Sequence, residues 1–155
     1  MYNNEMQLRV AYGRLNVKSI IKEVDVLDIK NTIIETSQID NEVQFTLNPE
    51  AEWPLGSPTG KMLTDTDRQS FVYIFDHENG YRYAYFPKDS WSGLVDTLLQ
   101  QVEPVLIWQD EKIQLAGVAE EMQALIFNIE GNDNYGEEFS TAVEEVFKPV
   151  LEKVN

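Results

Sequence analysis

Residues 70–86 read SFVYIFD (Ser70–Asp76), HENG (His77–Gly80) and YRYAYF (Tyr81–Phe86). Two runs of β-branched and aromatic residues flank a polar tetrapeptide. It contains Asn79-Gly80, the dipeptide favoured where both central positions of a type I′ turn need positive φ. The stretch predicts an antiparallel hairpin. A two-residue or a four-residue loop places Phe71, Tyr73 and Phe75 on one face with Arg82, Ala84 and Phe86. Val72 and Ile74 then share the other face with Tyr81, Tyr83 and Tyr85; a three-residue loop would change these sets. Neither face is polar, whereas an antiparallel sheet commonly keeps one solvated face. The hairpin is therefore expected either to be covered on both sides or to turn one face to a partner.

Upstream, residues 48–60 (NPEAEWPLGSPTG) hold three prolines and two glycines and read as a loop. Trp53 within it is expected to fold back over a core edge. Thr32–Thr36 and Val43–Leu47 read as strands joined by a polar turn at Gln38–Asn41. Nearer the N-terminus, Met6, Leu8, Val10 and Tyr12 alternate with other residues, and Ile20–Ile29 is rich in Ile and Val, so both stretches read as β. Downstream, Pro87 ends the hairpin. Trp91, Leu94, Val95, Leu98 and Leu99 then fall on one helical face. Pro104–Trp108 and Lys112–Leu115 make a short pair of strands. Leu115, Val118, Ala119, Met122, Leu125, Ile126 and Ile129 form a second helical stripe, with Gly131 placed as its stop. Asn134 with Glu137 resembles a capping box that starts a third helix carrying Phe139, Ala142, Val143, Val146 and Phe147. Pro149 is expected to end that helix near Lys148 and leave a short tail. The order predicts an α+β fold: an antiparallel β-sheet with about three helices packed on it.

The chain has 155 residues, a formal net charge of −15, one histidine and no cysteine. One domain is the natural count at this length. Absence of cysteine removes thiol catalysis, disulfides and cysteine metal sites, and a single histidine cannot form a two-histidine site. No cofactor is expected. Residues 1–30 carry five basic and four acidic residues, net +1, which leaves −16 for residues 31–155. The first thirty residues therefore read as an N-terminal extension, β in character and part of the same domain, ahead of a single acidic α+β domain at 31–155. The acidic surface argues against nucleic acid and anionic membranes as partners. The polar N-terminus and the lack of any apolar run of spanning length point to the cytosol.

The candidates for chemistry are few. Asp65-x-Asp67 could approach a cation, but Asp at such positions more often serves turns and caps. Asp76-His77-Glu78 sits at a hairpin tip, where a solvated turn histidine is the simpler reading. Glu130–Glu138 (EGNDNYGEE) is dense in special residues but fits no EF-hand register. It reads as a helix connector that could also present Asn132, Asn134, Tyr135 and Glu138 to a partner. The pairs Glu120-Glu121, Glu137-Glu138 and Glu144-Glu145 fall between apolar positions and are expected to face solvent. GSPTGK (Gly56–Lys61) has its glycines too close together for a phosphate-binding loop. Tyr81, Tyr83 and Tyr85 resemble a base-stacking platform, but only Arg82 and Lys88 accompany them.

From Gly60 onward, GKMLTDTD, the hairpin, the Trp91 helix, EEMQALIFNIEGNDNYGEEF and AVEEVF together resemble an uncharacterised protein family of small acidic cytosolic proteins from low-GC Gram-positive bacteria. The most specific pieces are Met62-Leu63 with Asp65 and Asp67, and Gly131-Asn132 through Asn134-Tyr135-Gly136 with Glu138. The resemblance covers roughly Asn31 to Phe147. It implies a size, a bacterial source and a compartment, and no reaction.

Three readings of function follow. The first is a non-catalytic protein-binding or regulatory module, in its simplest form a homodimer that buries one hairpin face. Its surface would draw on Asp65, Asp67, Tyr81, Tyr83, Tyr85, Asn132, Asn134, Tyr135 and Glu138. The second is a carboxylate-dependent enzyme, which needs Asp65, Asp67 and Glu138 to converge in one cleft. The third is an acidic decoy of nucleic acid, which needs carboxylates along one elongated face.

Overall fold

The computed structural model describes residues 30–154, so the two β-like stretches read at Met6–Tyr12 and Ile20–Ile29 lie outside the described residues. In chain order the strands and α-helices are β1 (Ile33–Ile39), β2 (Glu42–Leu47), β3 (Ser57–Asp65), β4 (Ser70–His77), β5 (Gly80–Pro87), α1 (Trp91–Gln100), β6 (Val105–Trp108), β7 (Glu111–Gln114), α2 (Val118–Ile129), α3 (Glu137–Val146) and α4 (Lys148–Val154). The fold is α+β. Among the described residues the strands form two sheets, β1-β2-β6-β7 and β3-β4-β5, where one had been expected.

β4 and β5 pair with the facing expected from the sequence, in the register that sets Phe71 opposite Phe86, Tyr73 opposite Ala84 and Ile74 opposite Tyr83. The turn itself differs from the expectation. His77 pairs with Gly80, so Glu78 and Asn79 are the central residues, and positive φ in the tip falls on Gly80 alone, at 116°. A type I′ turn at Asn79-Gly80 is therefore not formed. The facing survives because the loop still holds an even number of residues.

β3 starts inside the stretch expected to be loop. Pro58 and Gly60 are tolerated because the pairing with β4 is irregular between Pro58 and Met62, as prolines and glycines require in an edge strand. Trp53 does fold back. It stacks on Trp108 with ring centroids 5.0 Å apart and donates from Nε1 to Glu111 at 3.2 Å.

In the other sheet, β1 and β2 are joined through Asp40 and Asn41, both with positive φ. β2 pairs with β6 in parallel, Phe45 opposite Leu106, an exception to an all-antiparallel expectation. The chain builds the whole three-stranded sheet and α1 between these two strands. That is the kind of long crossover a parallel pair requires. The two sheets meet where Thr32 bridges Tyr85 and the Tyr85 amide donates to the Asn31 carbonyl at 2.8 Å. Phe45 and Phe86 pack edge to face across this junction, 4.9 Å apart.

The helices close the core. Phe71, Trp91, Phe139 and Phe147 form one aromatic cluster with centroids 5.0–6.0 Å apart, and the Trp91 Nε1 donates to the Phe86 carbonyl at 2.9 Å. Such aromatic pairs add to the stabilisation from their buried area. The Glu103 carboxylate accepts from the Gly117 amide and, at 3.1 Å, from the Ala119 amide. It thus satisfies free N–H groups at the start of α2 from a distant part of the chain. α2 ends before Gly131, which has φ 67°, as the sequence predicts. Asn134 does not cap α3. Asn132 accepts from the Asn134 amide to cap a short 3₁₀ turn at Asp133–Tyr135, and α3 begins after Gly136. The expected C-terminal tail is instead a fourth helix, α4. Pro149 lies in its first turn, where a missing N–H costs little, and Val150 and Leu151 are buried. No helix of the described residues is long and apolar enough to cross a membrane.

Candidate functional site

The two faces of the β3-β4-β5 sheet have different fates. The inner face, with Phe71, Tyr73, Phe75, Ala84 and Phe86, is buried. The outer face is graded along the hairpin. Val72 and Tyr85 are buried, Ile74 and Tyr83 half-buried, and Tyr81 is 51% exposed. Toward the tip, Thr59, Lys61 and Leu63 from β3, Ile74 from β4, and Tyr81 and Tyr83 from β5 line a groove of about 300 Å³. The alternation of β3 across its irregular pairing brings these side chains to one surface. The Thr59 hydroxyl donates to the Ile74 carbonyl at 2.7 Å and accepts from the Lys61 amide at 3.1 Å, which pins the groove floor. The groove is mostly apolar, with an exposed ammonium at one side. It suits a large apolar side chain next to an acidic one.

Tyr85 belongs to a different environment from Tyr81 and Tyr83. The Arg68 guanidinium lies over its ring at 5.7 Å and pairs with Asp65 at 2.8 Å. Asp65 is fully buried and also accepts from the Arg68 amide at 3.3 Å, capping the 3₁₀ turn Thr66–Arg68. Asp67 is exposed on that turn. This is the turn-and-cap role, and a buried carboxylate held by guanidinium is a structural pair.

The helix connector is also largely self-satisfied. The Asn128 amide donates to the Tyr135 hydroxyl at 2.7 Å, and Asn132 donates to the Asn128 carbonyl at 3.2 Å. The Tyr135 ring stacks on Phe139 at 6.4 Å. Glu144, read as a solvent-facing acid, accepts from the Gly131 amide at 2.8 Å and ties the loop to α3. Asn134 is exposed. Glu138 lines a separate open groove of about 430 Å³ with Gln69, Lys88, Glu137, Thr141 and Glu145. At the hairpin tip, the His77 Nδ1 accepts from the Asn79 amide at 3.1 Å, which orients the ring within the turn.

The nine sequence-predicted residues thus fall into three places. Tyr81 and Tyr83 share the apolar groove. Asp65 and Tyr85 contact Arg68, with Asp67 exposed on the same turn, and Asn132, Asn134, Tyr135 and Glu138 lie on or beside the helix connector. Asp65 and Asp67 do not line the groove that holds Glu138. Among the described residues, no group of three or more acidic or histidine side chains is placed to hold a metal ion. Sequence reasoning missed Lys61, Leu63 and Thr59. Their alternation could have revealed them, had Pro58 and Gly60 not marked the stretch as loop.

A model of a family of unknown function, UPF0738, matches residues 29–147. The chain is similar to a UPF0738 protein of Lysinibacillus sphaericus, 39% identical over 119 residues, which are 76% of this chain and 94% of that protein. It is similar to the UPF0738 protein YjbL of Bacillus subtilis, 33% identical over 115 residues, 74% of this chain and 94% of that protein. A Bacillus mycoides UPF0738 protein is 38% identical over 100 residues, 64% of this chain and 81% of that protein. No solved structure matches the chain.

Proposed function

The chain belongs to the UPF0738 family, a family of unknown function, and from that premise we propose that it is a non-catalytic protein-binding module of the bacterial cytosol. One observation carries the reading: the outer face of the hairpin opens into an apolar groove that ends at the half-exposed Tyr81. Tyrosine supplies large amphipathic contact area with few rotatable bonds and is enriched in interface cores. Lys61, a basic residue on a chain of charge −15, favours an acidic group on the partner. The buried, ion-paired Asp65 and its separation from the Glu138 groove weigh against the carboxylate enzyme. The cytosolic assignment draws on the acidic composition and the bacterial relatives.

The test is quantitative affinity capture from Bacillus cytosol with the wild-type chain, Tyr81→Ser and Lys61→Glu, and with Ile39→Ser on the other sheet as a control. The reading expects a partner set retained by wild type and Ile39→Ser and reduced about tenfold by the two groove variants, the scale of one interface anchor. A partner set equal across all four proteins, or none above background, overturns it.

A further inference from the structure

The outer face of the hairpin carries both a groove and the group that would fill it. β4 and β5 set Asp76 directly opposite Tyr81, and residues paired in this way point their side chains to the same face. Strand alternation therefore puts Ile74, Asp76, Tyr81 and Tyr83 on one surface. Asp76 and Tyr81 are both exposed. Toward the hairpin tip, a large aromatic ring thus stands beside a carboxylate. The groove suits that combination, with Leu63, Ile74 and Tyr83 as its apolar lining and the Lys61 ammonium at one side.

Neither charge is used within the chain. Lys61 and Asp76 lie on the neighbouring strands β3 and β4, yet among the described residues neither stands in an ion pair. Arg82, next to Tyr81 in sequence, belongs to the opposite set of the hairpin and donates to the Pro54 carbonyl at 3.0 Å.

Resting on the reading of this groove as a protein-docking site, we infer that its occupant is a second copy of the chain. The two copies meet outer face to outer face about a two-fold axis. Tyr81 of each lies in the other's groove, against Leu63 and Ile74, and Asp76 of each reaches the partner's Lys61. A surface that bears both the groove and what fills it is self-complementary, which is the requirement of an isologous contact. Two opposite-charge pairs then form at once. They work against the repulsion between two bodies of charge −15, so the dimer is reversible. The inner face of the hairpin is already core. A second copy on the outer face supplies the remaining cover that a hairpin with two largely apolar faces calls for.

Sedimentation of the full chain over a wide concentration range tests it, with Lys61→Glu and Asp76→Lys as variants. Both side chains are exposed, so neither change disturbs the monomer core. Wild type is expected to dimerise reversibly. Each variant alone weakens the dimer about tenfold, because two like-charge pairs replace two attractive ones. Asp76→Lys is the sharper test, since it lowers the net negative charge and would tighten any association governed by overall charge. Mixing the two variants restores dimerisation, because both contacts of the mixed pair again join an ammonium to a carboxylate. Tyr81→Ser weakens wild type and mixture alike. A wild-type chain that stays monomeric, a dimer unmoved by the single variants, or a mixture no stronger than its components overturns the inference. Capture separates this from the reading it rests on. A monomer whose captured partners are still lost on Tyr81→Ser rejects the second copy as occupant and keeps the groove as a docking site.

Discussion

Tyr73 is the residue on which two distant parts of the chain are pinned. Its ring is fully buried beside Phe75. Its hydroxyl donates to the Ala116 carbonyl at 2.6 Å and accepts from the Gly60 amide at 3.0 Å, joining the edge of β3 to the start of α2. The backbone there is close: a Cβ on Gly117 would come within 2.8 Å of the Gly60 Cα, so only glycine allows the approach. Tyr73→Phe leaves two backbone groups without their partner and is expected to cost about 1–3 kcal/mol, read from urea midpoints. Burial pushes the Tyr73 phenol above its ordinary value, helped by the nearby Glu103 charge and opposed by the Gly60 hydrogen bond. The unfolded chain therefore ionises first. The stability that the neutral phenol contributes is whole below about pH 10 and is lost as pH rises through the higher folded pKa. The gap between wild type and Tyr73→Phe should accordingly narrow in strongly alkaline urea titrations. From the sequence alone Tyr73 was legible as an inward ring on β4. Its hydroxyl partners, 13 and 43 residues away, were not, because no local pattern encodes them. Asp65 shows the same division: its capping role follows from its place before Thr66–Arg68, whereas its full burial follows from what packs over it.

At the scale of elements, α1 lies so close to the four-stranded sheet that its composition is dictated by the contact. A Cβ on Gly93 would overlap Thr36 Oγ1 and come within 2.7 Å of the Phe45 ring. Gly93→Ala gains up to about 1 kcal/mol of helix propensity but overpacks the core by about 1–3 kcal/mol. A net loss in thermal midpoint is expected, partly recovered when Thr36→Ala is added. Recovery marks the two positions as coupled. The apolar stripe of α1 was readable from its spacing, while the meaning of a helix-interior glycine was not. β3 makes the converse case. Pro58 and Gly60 argued for a loop, and the edge position with its irregular pairing made room for both. α4 similarly forms past Pro149 because Phe147, Val150 and Leu151 have a core to enter.

For the whole molecule the charge of −15 acts as a field that packing must withstand. Fixed pairs relieve it locally: Lys112 sits 2.7 Å from Glu42 and, with a hydrogen bond from Gln44, holds that carboxyl below its ordinary range. With 12 basic residues against 27 acidic ones, repulsion outweighs attraction, so the urea midpoint should rise with added sodium chloride as repulsion is screened. A falling midpoint would show that pairs such as Lys112–Glu42 outweigh the field. Helix stripes, the facing of the β4–β5 hairpin, the acidic surface and the family resemblance all come from neighbours in the chain, because periodicity and side-chain chemistry act over a few residues. The parallel pairing of β2 with β6, the division into two sheets and the groove at Tyr81 come only with tertiary structure. Each depends on which distant segment arrives beside which, and that is decided by the shared burial of a core to which every element contributes.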